Sequence, residues 1–220
     1  MISHLRSSES SSASEILCAN LAQGIHAAAQ PLAVLLASLS NDYTDRMNTN
    51  ELRELTASSA AEIKRVCTLF SCLQQLVLAE SIKPQLSPTP LLPLLAYAAD
   101  GVNLLFQQDG ISLRSVLPDT CPPVLIHRSR TLQALSRVLL IVHGLSRAQD
   151  TVELIASAFA DGVQIVIQNL NLSADPINAE TRLSMAVAEA NMRSQQARLS
   201  LILQPFTVCI ELPKAPVASW

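Results

Sequence analysis

The sequence predicts an α+β protein: an N-terminal helical hairpin, completed as a four-helix bundle in a dimer, then a two-layer α/β sandwich with a mixed sheet. Three observations predict it. Two long apolar stripes at helical spacing occupy the first third of the chain. A cluster of prolines, Pro84, Pro88, Pro90 and Pro93, then marks a change of composition. Beyond it, helical and alternating patterns succeed one another, separated by turn residues.

The first stripe is Leu17, Leu21, Ile25, Ala28, Leu32, Leu35 and Leu39, with Ser14 as its N-cap. A polar turn at residues 40–50 follows. The second stripe is Leu52, Leu55, Ile63, Val66, Phe70, Leu73 and Val77, with Asn50 at its start. A short connection makes the two helices an antiparallel hairpin, and two such hairpins bury their stripes by pairing. Residues 1–13 are serine-rich and read as a disordered tail, 14–82 as the hairpin, 83–93 as a linker and 94–220 as the α/β domain.

In that last domain, Leu94–Gln108 reads as a helix, Ile111–Leu117 as a strand and Pro123–Ile126 as a short extended piece. Ser129–Arg147 is an apolar helix. Thr151–Ala160 and Val163–Gln168 form a hairpin about Asp161–Gly162. Asn178–Ser194 is a helix, and Ala197–Leu203 with Thr207–Leu212 a final hairpin about Gln204–Pro205.

Composition excludes several classes. Of the 220 residues, 49% are hydrophobic and 15% charged, which rules out wholesale disorder. The net charge of −3 lacks the basic stripe of a nucleic-acid binder, so no nucleic-acid partner is expected. The five glycines are scattered and form neither a P-loop nor a dinucleotide fingerprint. The five cysteines include no C-x-x-C, and no histidine is spaced to complete a zinc site. Reduced thiols, no signal peptide and no apolar run long enough to span a bilayer lead us to expect a cytoplasmic protein with no membrane partner.

The specific constellation is Gly24-Ile25-His26-Ala27-Ala28-Ala29-Gln30-Pro31-Leu32. His26 lies one position past the seam residue Ile25, beside the stripe, where it faces water. Pro31 has no N–H for the carbonyl of Ala27, so the helix bends beside the histidine. A neutral imidazole keeps a lone pair near pH 7 and is a competent phosphoryl acceptor. The three alanines leave room for a partner to approach.

This His, the Pro five residues on and the hairpin resemble the dimerisation and phosphoacceptor region of histidine kinases. The later segments resemble their ATPase domain: residues 93–119 its opening, TLQALSRVLLIVHGLSRA its N-box helix and FTVCIELP its closing strand. The resemblance spans Ser14 to Pro213.

The chain departs from that family where nucleotide is gripped. Ala27 stands where an acidic residue follows the histidine. The N-box asparagine positions align with Val138 and Val142. The Asp-x-Gly-x-Gly segment falls at Asn169-Leu170-Asn171, and the glycine-rich lid at Arg182-Leu183-Ser184. The resemblance therefore implies no cofactor and no metal of the chain's own.

It implies instead a histidine phosphotransferase, like the dimeric ones that keep a degenerate ATPase-like domain. His26 would exchange a phosphoryl group with the receiver domain of a response regulator, which brings its own Mg²⁺. Docking would use Ala22, Gln23, Ala29, Gln30 and Ala33. The alternative is a non-catalytic scaffold, a pseudo-histidine kinase that regulates a signalling partner. Elsewhere, His143 reads as a satisfied half-core residue, and His127, Arg128 and Arg130 as a solvated basic patch. Glu189 and Arg193 read as an i,i+4 surface pair.

Overall fold

The computed structural model describes residues 49–172 and 178–216. The chain divides into two compact units, Met1–Gln75 and Leu76–Trp220. The first predicted helix and its turn lie outside the described residues.

Helix α1 spans Thr49–Ser81 and crosses the division between the units. Its 33 residues make it roughly 50 Å long. It carries two apolar faces. Leu69, Cys72 and Ala79 are buried, whereas Ile63, Phe70 and Val77 are 42%, 52% and 56% exposed. At 100° per residue the two faces lie about 150° apart. The face that the single chain buries is thus not the predicted stripe: of the stripe's described members, Ile63, Phe70 and Val77 stand open and Val66 and Leu73 are half-buried.

The second unit is the two-layer α/β sandwich that the sequence predicts. Its five-stranded sheet has the order β2-β4-β5-β7-β6. The strands are β2 (Ser112–Val116), β4 (Thr151–Phe159), β5 (Gly162–Asn169), β6 (Arg198–Leu203) and β7 (Phe206–Pro213). Only the β2–β4 pair is parallel, so the sheet is mixed.

Helices α2 (Leu91–Gln108), α3 (Arg128–Leu145) and α4 (Ala179–Arg193) supply the second layer. Alternation decides which sheet face they cover. Val152, Leu154, Ile165, Ile167, Val208 and Ile210 are fully buried on one face, while Glu153, Gln168 and Glu211 sit on the other. Each such aliphatic side chain contributes roughly 2 kcal/mol by leaving water.

The segment at 83–93 differs from the expected linker. Ser87–Thr89 is a strand, β1, paired antiparallel with β3 (Val124–Ile126), and α2 already begins at Leu91. The chain returns over β3 at its far end, where Val124 bridges Lys214 and the Ala215 N–H donates to the Pro123 carbonyl at 2.9 Å. Pro88 lies in this small sheet, Pro90 caps α2 and Pro93 stands in its first turn, where a missing N–H costs little.

The β4–β5 hairpin depends on glycine. A Cβ at Gly162 would lie 2.1 Å from the Leu212 carbonyl oxygen and 3.1 Å from the Phe159 ring, so β5 approaches β7 here only without a side chain. Gly162→Ala is expected to destabilise the unit by about 2 kcal/mol, as overpacking against backbone does. Urea unfolding measures this, and a variant as stable as the parent would show that the hairpin yields freely.

Candidate functional site

His26, Ala22, Gln23, Ala29, Gln30 and Ala33 lie outside the described residues. The site that can be built from side chains is where the end of β5 meets the C-terminal end of α3 and the turn that follows it.

At its centre is Asn169, the last residue of β5, with no exposed surface. Its amide nitrogen donates to Ser146 Oγ at 2.8 Å and to Asp150 Oδ2 at 2.9 Å. Its Oδ1 accepts the Asn171 N–H at 3.0 Å. Both amide protons are therefore spent inside the protein. Asp150 also accepts the Arg147 N–H at 2.9 Å. That backbone bond first, and the Asn169 amide second, hold the Asp150 carboxyl below its ordinary value.

The chain then folds back. The Leu172 N–H donates to the Asn169 carbonyl, and the Leu172 carbonyl accepts the Phe206 N–H at 3.1 Å. The Leu172 side chain packs on the core together with Ile141 and Leu145 of α3. Asn178 caps α4 by accepting the Thr181 N–H at 2.8 Å. Arg182, Leu183 and Ser184 lie inside that helix, not in a loop.

The helix phase requires a correction. Thr131, Ala134, Leu135, Val138, Leu139 and Val142 form the buried face of α3, and Val138 and Val142 have no exposed surface. They cannot be the positions that would face a nucleotide. One residue earlier, Arg137 and Ile141 flank the buried face and are half-buried. Almost every residue of VLLIVHGL is apolar, so the pattern does not reveal its own phase.

A second polar cluster lies at the other end of α3. His127 caps the helix through Nδ1, which accepts the Arg130 N–H. The His127 N–H donates to Gln195 Oε1 at 2.7 Å, and that oxygen also accepts from Thr131 Oγ1 at 3.0 Å. Gln195 has no exposed surface and donates back to the Asn191 carbonyl. The Arg130 guanidinium donates to the carbonyls of Leu78, Ala79 and Ile82 and to Ser194 Oγ. An open depression of about 580 Å³ lies at the start of α3, lined by Gln85, Ser87, His127, Arg128, Ser129 and Leu132. Of the expected solvated patch, Arg128 alone is exposed. Arg130 and Gln195 are the residues that sequence reasoning missed, because their partners lie 48–68 positions away.

His143 is satisfied as expected. Its ring packs on Phe106 with centroids 4.9 Å apart, and Nε2 lies 2.9 Å from Asp109 Oδ2. Glu189 and Arg193 form the ion pair that their spacing predicts. Cys67, Cys72, Cys121 and Cys209 form no disulfide, and burial raises Cys121 and Cys209 above the ordinary thiol value. No helix among the described residues is long and apolar enough to cross a membrane.

No protein-family model matches the chain, and no curated protein matches its sequence. Solved structures match its shape. The Acinetobacter baumannii histidine kinase AdeS aligns at a TM-score of 0.62 and 16% identity, over 84% of this chain and 96% of that one. ShkA, solved full-length in complex with AMPPNP, aligns at 0.61 and 16%, over 79% of this chain and 41% of that one. A histidine kinase from Burkholderia phymatum STM815 aligns at 0.53 and 14%, over 88% and 99%. The fold is histidine-kinase-like.

Proposed function

We propose that the chain is a histidine phosphotransferase of a two-component phosphorelay, which works as a homodimer in the cytoplasm and uses no ATP. A ring nitrogen of His26 attacks the phosphorus of an aspartyl phosphate on a receiver domain. The P–O bond to the aspartate breaks, the carboxylate leaves, and an N–P bond forms. The reverse step on a second receiver returns the imidazole. The acyl phosphate is the energy source, and the receiver supplies Mg²⁺ and its own acidic residues. Ala22, Gln23, Ala29, Gln30 and Ala33 form the docking surface around His26.

The observation that carries the ATP-independent part is Asn169. The fold implies a magnesium nucleotide, and the residues here do not fit one. The amide at the position of the adenine-reading acid is sealed and committed inward. Apolar Ile141, Leu145 and Leu172 pack on the hydrophobic core. Arg182-Leu183-Ser184, where a glycine-rich lid is expected, is helix. A domain that keeps this fold without those groups leaves His26 as the reactive atom.

The test is to incubate the protein with a receiver domain charged from labelled acetyl phosphate. An acid-labile, base-stable label on the wild type, absent from His26→Ala, is the expected result. A chain that takes no label from any native receiver would be the scaffold instead, a reading that Ala27 favours because no acid follows the histidine.

A further inference from the structure

We propose that Arg130 is a lock that makes the last turn of α1 part of the α/β unit. It couples opening of that turn to the corner where α3 starts and α4 ends.

The end of α1 needs a cation and has none of its own. Among its last carbonyls, that of Leu78 accepts the Ile82 N–H at 3.2 Å, and the last turn contains no basic residue to serve the others. Arg130 supplies both charge and donors. One guanidinium nitrogen reaches the Ala79 carbonyl and, at 2.9 Å, Ser194 Oγ, the C-cap of α4. The other reaches the Leu78 carbonyl and, at 2.9 Å, the Ile82 carbonyl. A planar fork with separate nitrogens makes this geometry, and a lysine ammonium cannot copy it.

The position of Arg130 is costly by local rules. It stands in the first turn of α3, where the helix dipole disfavours a cation and no acidic residue offsets it. The grip on α1 explains why an arginine is there. The surroundings hold it in place: Ser194 Oγ donates to the Asn191 carbonyl, and buried Gln195 ties Asn191 to His127 and Thr131. Three helix ends therefore share one guanidinium. Because β1 follows directly and is paired with β3, the segment after α1 is held as well. The turn at residues 76–82 is thus expected to open only when Arg130 lets go.

Hydrogen exchange on the full-length protein tests this. Arg130→Met is expected to raise amide exchange in residues 76–85 by about tenfold or more, the scale set by losing charge-assisted bonds. Exchange in β4, β5 and β7 should stay at the wild-type rate. Arg130→Lys should restore only part of the protection. Ser194→Ala cuts one arm of the fork and should give a smaller rise confined to the same segment, which keeps the idea testable if Arg130→Met folds poorly. Wild-type exchange at 76–85 in both Arg130→Met and Ser194→Ala overturns the lock, as does a rise of equal size across the whole sheet. None of these readings depends on label transfer to His26.

Discussion

Asn169→Asp is expected to invert the response of the α/β unit to acid. In the wild type, the Arg147 N–H and then the Asn169 amide hold the Asp150 carboxyl below its ordinary value. A depressed folded-state value means that the carboxylate stabilises the fold above the unfolded value of about 4. That contribution is lost as the pH falls through the depressed value. In the variant, a second carboxylate replaces the amide that donates to Asp150 Oδ2 at 2.9 Å. Two carboxylates at that distance cannot both be charged without cost, so one is driven to keep a proton. The variant should be less stable than the wild type at neutral pH and recover part of the loss on mild acidification.

Asn169→Leu, close in size, should cost about 3 kcal/mol, since Ser146, Asp150 and the Asn171 N–H all lose a buried partner. Urea unfolding across pH reads both effects. Asn169→Asp should take up no Mg·ATP in calorimetry. Equal stability of Asn169→Asp and wild type at neutral pH would mean that the amide bonds carry nothing.

The order of elements in the α/β unit is legible because its turns announce themselves. Asp161–Gly162 and Gln204–Pro205 separate strands, and in β4 and β5 the alternation puts Val152, Leu154, Ile165 and Ile167 on the buried face. The histidine-kinase-like fold could be read from that order together with the segments that resemble the ATPase domain. What stayed hidden depends on distant partners. Ser87–Thr89 is three residues beside prolines, and nothing local makes it a strand; its pairing comes from Val124–Ile126. The phase of α3 is hidden because apolar residues run around the helix, so the pattern does not separate the buried Val138 and Val142 from the half-buried Arg137 and Ile141. Arg130 looked like surface charge because its four acceptors lie 48–64 residues away. His26 is an expectation from a local motif and falls outside the described residues.

Phe70→Asp is expected to convert a dimer into monomers. The argument rests on the second apolar face of α1. Ile63, Phe70 and Val77 are spaced by 7 and 7, with half-buried Val66 and Leu73 between them, which is an a/d seam. Leu69 and Cys72 already fill a different face of the same helix, so the seam is surplus to what the single chain covers. Phe70 is 52% exposed, and a charge there should cost the isolated chain little. In a four-helix bundle each helix needs two covered faces, and a second hairpin supplies the other. At the centre of such a seam a buried carboxylate without a partner is prohibitive. Sedimentation should therefore show a dimer for the wild type and a monomer for Phe70→Asp at micromolar concentration, while the near-ultraviolet signal of the α/β unit is retained. The double variant Ile63→Ser/Val77→Ser should weaken association by at least about tenfold through lost apolar burial alone. A wild-type chain that sediments as a monomer would leave the exposed seam without the partner assigned to it, and a dimer that survives Phe70→Asp would place the contact elsewhere.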